Sequence, residues 1–306
     1  MNIQEKLTAL SGQLNTVIVG KFDQTQDCVA CLLAGGHLLI EDVPGVGKTT
    51  LAHALARTFG LQFSRVQFTA DLMPSDLSGV SVYERGQEKF IFHPGPLFAQ
   101  VLLADEINRA SPKTQSALLE AMEEKQVTIE GETRALPSPF FVIATQNPHD
   151  QLGTYLLPES QLDRFLMRIS LGYPDRDAER QLLAGSDRRD LVANLPSLLT
   201  AQELQTLQRQ VLTMHASGAL LDYVQDLMAA TRSGQWFVQG LSPRAGMAVL
   251  RAAKARALLA GRNFVAPDDV RRILPQTIAH RLVPVGDAGR GALAQVSAML
   301  DAVPLP

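Results

Sequence analysis

Cysteine is scarce in this chain: two among 306 residues, Cys28 and Cys31. Their C-x-x-C spacing would suit a redox or zinc pair, but there is no second pair to complete a site. Residues 27–34 also read as an apolar helix, in which positions three apart share one buried face, so both thiols are assigned to the core. The six histidines are scattered without metal-ligand spacing. Long apolar runs are missing too. The stretch 29–40 is broken by Gly35, Gly36 and His37, and nothing approaches the ~18 residues of a membrane span. The first six residues lack a basic region followed by an apolar stretch, so no signal peptide is expected and a cytoplasmic location follows. Neither charge sign is in excess: the net charge is −3 and the pI about 6.1. Residues 1–174 carry 13 Lys/Arg against 19 Asp/Glu, and 175–306 carry 15 against 12. Neither part has the basic surplus of a generic nucleic-acid binder.

What is present is a soluble, globular composition, 46% apolar and 19% charged, long enough for two domains. No internal repeat or low-complexity tract occurs. In the first part, strand-like apolar runs (37–41, 65–68, 101–104, 140–145 and 167–171) alternate with helical patterns, as in a parallel α/β sheet. A helix over 48–59 presents Leu51, Leu55 and Phe59 on one face. A second, over 112–124, starts from Ser111 as N-cap with Pro112 in its first position. Residues 79–94 read as a hairpin turning at Glu84-Arg85-Gly86-Gln87, and a second hairpin flanks Glu130-Gly131-Glu132. After Tyr173-Pro174-Asp175, helical periodicity takes over (178–184, 201–212, 219–231, 243–259, 267–281). The expected organisation is an α/β domain over 1–174 and an α-helical domain over 175–306.

Three stretches carry chemistry. Pro44-Gly45-Val46-Gly47-Lys48-Thr49 follows an apolar strand and opens a helix, continuing into Thr50. Glycines free backbone N–H groups to face an anion, the helix N-terminus adds partial positive charge, Lys48 can reach terminal phosphates and Thr49 can ligate Mg²⁺. The usual G-x-x-x-x-G-K-[ST] pattern has its first glycine where this chain has Asp42, whose carboxylate must point away from the phosphates. The strand 101–104 ends in Asp105-Glu106: Asp105 suits a water-mediated hold on Mg²⁺, and Glu106 suits polarising an attacking water. The strand 140–145 ends in Gln146-Asn147-Pro148, where an amide can orient that water or sense the γ-phosphate.

In this order, these stretches resemble the MoxR family of AAA+ ATPases. The resemblance extends through Gln67-Phe68-Thr69-Ala70-Asp71-Leu72-Met73-Pro74-Ser75-Asp76-Leu77, Gly95-Pro96-Leu97-Phe98 and Asp105-Glu106-Ile107-Asn108-Arg109-Ala110. It continues through Leu157-Pro158-Glu159-Ser160-Gln161-Leu162-Asp163-Arg164-Phe165 and Leu241-Ser242-Pro243-Arg244-Ala245, covering nearly the whole chain. It implies an AAA+ fold: a P-loop domain with a five-stranded parallel sheet, plus a small α-helical lid. It also implies Mg²⁺-dependent ATP hydrolysis driving chaperone-like remodelling or maturation of protein complexes. Arg164 falls at the arginine-finger position that serves a neighbouring subunit, with Arg168 as the rival. Arg244 resembles the arginine that closes the lid over the phosphates. Gln67 sits where a polar residue restrains Glu106, and Val19-Gly20 resembles the adenine-contact segment. Both hairpins resemble insertions facing a central pore. A homo-oligomer, a hexamer in this family, is implied, with protein clients and von Willebrand factor A domain partners. Two alternatives stand beside this reading. A nucleic-acid motor would need basic hairpins, whereas these mix Glu84, Arg85, Glu88 and Lys89, and Glu130, Glu132 and Arg134, which argues against nucleic acid. A scaffold that binds ATP without turnover would not need Glu106 and Arg164.

Overall fold

In a strand, successive side chains enter opposite layers, and here that alternation sorts two cores. The computed structural model describes every residue except 1, 87, 148–152, 185–187 and 287–290, and leaves out the side chain of Arg189. Gln87 of the first hairpin turn and Pro148 therefore lie outside the described residues. Helices α1 (Ile3–Val17) and α2 (Phe22–Leu33) precede β1 (Leu38–Glu41), α3 (Lys48–Thr58), β2 (Phe63–Gln67) and α4 (Pro74–Ser78). A hairpin, β3 (Gly79–Glu84) and β4 (Lys89–Pro94), leads to β5 (Val101–Asp105) and α5 (Pro112–Glu124). A second hairpin, β6 (Gln126–Ile129) and β7 (Glu132–Ala135), precedes β8 (Phe141–Gln146), α6 (Glu159–Leu162) and β9 (Met167–Ile169). There follow α7 (Arg176–Ala184), α8 (Arg188–Ala193), α9 (Ala201–Thr213), α10 (Gly218–Arg232), α11 (Pro243–Leu259), α12 (Pro267–Ile278) and α13 (Ala292–Ala302).

The five-stranded sheet has the order β2-β5-β8-β1-β9, and every pairing in it is parallel. Leu38, Ile40, Val101, Leu103, Phe141 and Ile143 face one layer, with α1, α2 and α3. Leu39, Leu102, Ala104, Val142 and Ala144 face the other, with Leu118 and Met122 of α5. Strands buried on both sides read as continuous apolar runs, which is why they were legible. The first layer continues into the helices after α7: Leu204, Leu227, Val249, Ile273 and Leu300 belong to the same core.

The expected elements form, with these main differences. Strand β9 stops at Ile169 and not 171, because the Leu171 and Gly172 amides donate to the Asp42 carboxylate at 2.6 and 2.7 Å and not to a neighbouring strand. The helix expected over 267–281 ends at Ile278 and tightens into a 3₁₀ turn, Ala279–Arg281. Helices α1, α4, α6, α8 and α13 have no counterpart in the expectation. The first carries a capping box, Asn2 with Glu5, and buries Leu7, Leu10, Leu14 and Val17 at helical spacing. Cys28 and Cys31 are both free and buried in the core, as expected.

Asp27 of α2, 3% exposed, pairs with Arg256 of α11 at 2.9 Å and so ties the helical part to the sheet part. Burial pushes its carboxyl up to about 6, against the pull of Arg256 and Arg272. The folded value lies above the ordinary 3.8, so protonation favours the fold, and stability from this group rises as pH falls from 7 through 6. Asp27→Asn does not titrate there. Urea unfolding should therefore show the wild type gaining about 2 kcal/mol relative to Asp27→Asn between pH 7 and pH 4. A difference independent of pH would refute this account.

Candidate functional site

The carboxyl end of β1 runs into the phosphate-loop segment. Gly45 and Gly47 take φ of +86° and +94°, and a Cβ at either would meet nothing within 4 Å. Glycine is needed there for backbone conformation, not for space. Gly47 is the N-cap of α3, so the first amides of that helix face the loop. The Lys48 ammonium donates to the Asp42 carbonyl at 2.6 Å. Burial lowers its pKa, and the charges of Asp42, Asp105 and Glu106 oppose that shift. Asp42, in place of the usual first glycine, is buried and points away from the loop's concave face. Its carboxylate accepts from Val43 N (2.9 Å), Ser170 Oγ (3.1 Å), Leu171 N and Gly172 N. The substitution thus pins the loop's entrance to the end of β9.

Parallel pairing carries the ends of β5 and β8 to the same edge. The Thr145 hydroxyl donates to Asp105 Oδ1 at 2.6 Å and accepts from the Glu106 amide at 2.9 Å. Glu106 adopts φ +57°, a left-handed conformation that costs a non-glycine residue energy and re-aims its side chain. Gln67 Nε2 donates to Glu106 Oε2 at 2.9 Å, and Arg109 Nη1 donates to the same oxygen at 3.0 Å. Arg65 donates to Asp105 Oδ2 at 2.7 Å. Sequence reasoning found the Gln67 contact but gave no role to Thr145, Arg65 or Arg109. The only signal for Arg65 was its place two residues before Gln67 on one strand face.

A cleft of about 290 Å³ brings together Pro44, Gly45, Gly47, Lys48, Thr49, Thr50, Asp105, Glu106 and Asn147. Val46 does not line it; its side chain packs against the main core. Val19 and Gly20 do not line it either. They sit in the turn between α1 and α2, where a Cβ on Gly20 would meet Ala178 at 2.8 Å.

Arg164 and Arg244 lie elsewhere. They line a larger cavity, about 480 Å³, with Gly36, His37 and Leu166, the residues that lead into β1 and β9. This is the opposite edge of the sheet from the loop, which follows the carboxyl end of β1. Arg244, expected to close the lid over phosphates, does not line this chain's own cleft. It stands beside Arg164, and both pair with Glu123, at 3.1 and 3.3 Å. Arg168, the rival finger, pairs with Glu41 at 2.8 Å and is outside that cavity.

Comparison with known proteins places this geometry. Residues 37–167 match the model of the ATPase family associated with various cellular activities (AAA), and 229–299 match the AAA lid domain. The chain is 42% identical to Chaperone MoxR1 of Mycobacterium tuberculosis, across 90% of this chain and 75% of that one. It is 34% identical to Protein MoxR of Paracoccus denitrificans, across 96% and 94%. The chain belongs to the MoxR family of AAA+ ATPases. A Bacillus subtilis protein named YeaC is 44% identical to this MoxR-family ATPase across 100% of this chain and 98% of that one. A crystal structure from Cytophaga hutchinsonii superposes with a TM-score of 0.89 at 34% identity, covering 99% and 96%. An α/β AAA+ fold with a helical lid is therefore the architecture of this ATPase, and no helix among the described residues is long and apolar enough to cross a membrane.

Two substitutions test the cradle. Lys48→Ala should abolish binding of a fluorescent ATP analogue; retained binding would remove Lys48 from the site. Asp42→Gly restores the usual first glycine yet leaves the Leu171 and Gly172 amides without their acceptor. It should cost about 2 kcal/mol in thermal unfolding and weaken analogue binding several-fold. An unchanged melting temperature would show that Asp42 anchors nothing.

Proposed function

We propose that this MoxR-family ATPase hydrolyses Mg²⁺-ATP at a site shared between protomers and uses the resulting motion to remodel or mature protein complexes. The observation that carries the reading is the division of labour across the sheet. Lys48, Thr49, Asp105, Glu106 and Asn147 share one edge, while Arg164 and Arg244 face the other, out of reach of their own cleft. Arginines so placed can assist hydrolysis only in another copy, which calls for a closed ring. A hexamer is the assembly we infer, with the α/β domain over 1–174 and the lid over 175–306.

The donor set suits magnesium. The Thr49 hydroxyl and the Asp105 carboxylate are hard oxygen donors lining one cleft, and no cluster of three acidic or imidazole ligands occurs among the described residues. Such a pair fits an ion shared with substrate phosphates better than an all-protein cage. Bound there, magnesium would neutralise charge on the phosphate oxygens. Backbone amides of residues 45–49 and the Lys48 ammonium bind the phosphates. Thr145 fixes the Asp105 carboxylate toward the cleft. Glu106 polarises the attacking water once Gln67 and Arg109 release its Oε2, and Asn147 orients that water. Arg164 and Arg244 of a neighbouring protomer stabilise the charge that develops on the γ-phosphate. Val19 and Gly20 contact the adenine. Clients are proteins, with von Willebrand factor A domain proteins among the partners, and the location is cytoplasmic.

Glu106→Gln should bind ATP normally and turn it over at least about 100-fold more slowly; near-normal turnover would refute the role of Glu106. Arg164→Ala should be nearly inactive alone but regain activity when mixed with Glu106→Gln, because each variant supplies the half the other lacks. Absence of rescue in confirmed mixed assemblies would refute the shared site.

A further inference from the structure

Six cationic side chains (Lys125, Arg164, Arg244, Arg251, Lys254 and Arg281) line the larger cavity beside only two carboxylates, Glu123 and Asp163. Like charges so placed repel, and something must hold them together. The two carboxylates hold three of the six, Arg164, Arg244 and Arg281, in a chain of bridges. Glu123 Oε2 meets Arg164 Nη2 at 3.3 Å and Glu123 Oε1 meets Arg244 Nη2 at 3.1 Å. Asp163 then lies 3.9 Å from Arg244 Nε and 3.0 Å from Arg281 Nη1. Arg164 is further fixed by donating to the Leu119 carbonyl at 2.5 Å. Among the described residues Arg244 shows no such backbone anchor: its side chain is 58% exposed, and Glu123 is its nearest ionic partner.

We infer that Glu123 is a positioning residue for the shared site: its carboxylate yokes Arg164 of the sheet domain to Arg244 of the lid, so that both guanidiniums are presented together to a phosphoryl group from another protomer. The inference rests on the shared-site reading above. One oxygen serves each arginine, so the carboxylate bridges the two domains. A guanidinium carries five N–H donors, so a single contact with Glu123 leaves donors for the incoming anion. An isolated exposed ion pair stabilises a fold by little, whereas a carboxylate that sets the separation of two guanidiniums controls the geometry on which charge stabilisation depends. Glu123 touches no substrate in this arrangement; it acts through the two arginines.

The test uses full-length Glu123→Gln and Glu123→Asp. Glu123→Gln should lower kcat at least tenfold, with the Kd for a fluorescent ATP analogue within twofold of wild type, which also reports that the fold is intact. Glu123→Asp, which keeps the charge, should recover part of the loss. Mixed with Glu106→Gln in assemblies verified by two affinity tags, Glu123→Gln should regain activity several-fold above either variant alone, because its own cleft is then served by an intact yoke. A Glu123→Gln enzyme as fast as or faster than wild type overturns the inference. So does an inactive Glu123→Gln that the mixture fails to rescue while Arg164→Ala is rescued, since that places the defect in its own subunit. Failure of the Arg164→Ala mixture as well overturns the shared-site reading, and this inference with it.

Discussion

The parallel pairing of β5 with β8 places one hydroxyl, that of Thr145, between Asp105 at 2.6 Å and the Glu106 amide at 2.9 Å. Much of the phosphate edge depends on that contact. Thr145 is fully buried, so its hydroxyl must be satisfied inside the protein, and it is satisfied in both directions. The donated hydrogen bond fixes the rotamer of Asp105. The accepted one holds the backbone of Glu106 in its left-handed conformation, which would otherwise relax. A strand end, a helix start and a strained residue are thereby locked into one geometry before any nucleotide arrives.

A parallel sheet has two unlike edges, and this chain loads them with opposite chemistry. At the carboxyl ends of the strands sit the loop amides, Lys48 and the acidic pair. At the amino ends sits the arginine cavity, floored by buried, neutral His37. Burial pushes the His37 imidazole down to about 4. Its Nδ1 accepts from the Val142 amide at 3.0 Å, and its Nε2 bonds the Met122 carbonyl at 3.2 Å. Neutrality matters there, because another cation would add to the repulsion that Glu123 and Asp163 already offset. In the proposed ring, one protomer's cationic edge meets the next protomer's phosphate edge, so the two halves of the chemistry are kept apart until assembly.

Features written in consecutive residues were legible in the sequence. The phosphate loop, the acidic pair at the end of an apolar run and both hairpins are local patterns, and doubly buried strands announce themselves as unbroken apolar runs. Features set by register or by the packing of the two parts were not. Arg65 reaches Asp105 because β2 lies beside β5, an adjacency invisible in either strand alone. Asp42 departs from the usual pattern, and sequence gave only the direction it must avoid; the amides of Leu171 and Gly172 that receive it lie well over a hundred residues away. Arg244 was legible as a lid arginine, but which edge of the sheet it faces depends on how α11 packs against α2, not on any motif. Helix α1 was missed although its apolar spacing and Asn2–Glu5 capping box were present, because its polar residues gave no motif to draw attention to it.

Helix α5 connects these regions mechanically. At its start, Ser111 caps the first turn and Thr114 Oγ1 donates to the Leu72 carbonyl at 2.6 Å, just before α4 and the first hairpin. At its end, Leu119 and Glu123 hold Arg164, Glu123 also holds Arg244, and Lys125 in a left-handed turn passes the chain directly into the second hairpin. The 13-residue helix is about 20 Å long, and Leu118, Leu119, Ala121 and Met122 pack it into the second core layer. A packed helix moves as a unit, because interiors close-packed like crystals do not compress to absorb a shift. The arginine contacts, the Leu72 contact and the root of the second hairpin therefore share one rigid element. One packed helix thus joins the arginine cavity to the roots of both hairpins, and Glu123 stands at the end of it where Arg244 of the lid is held.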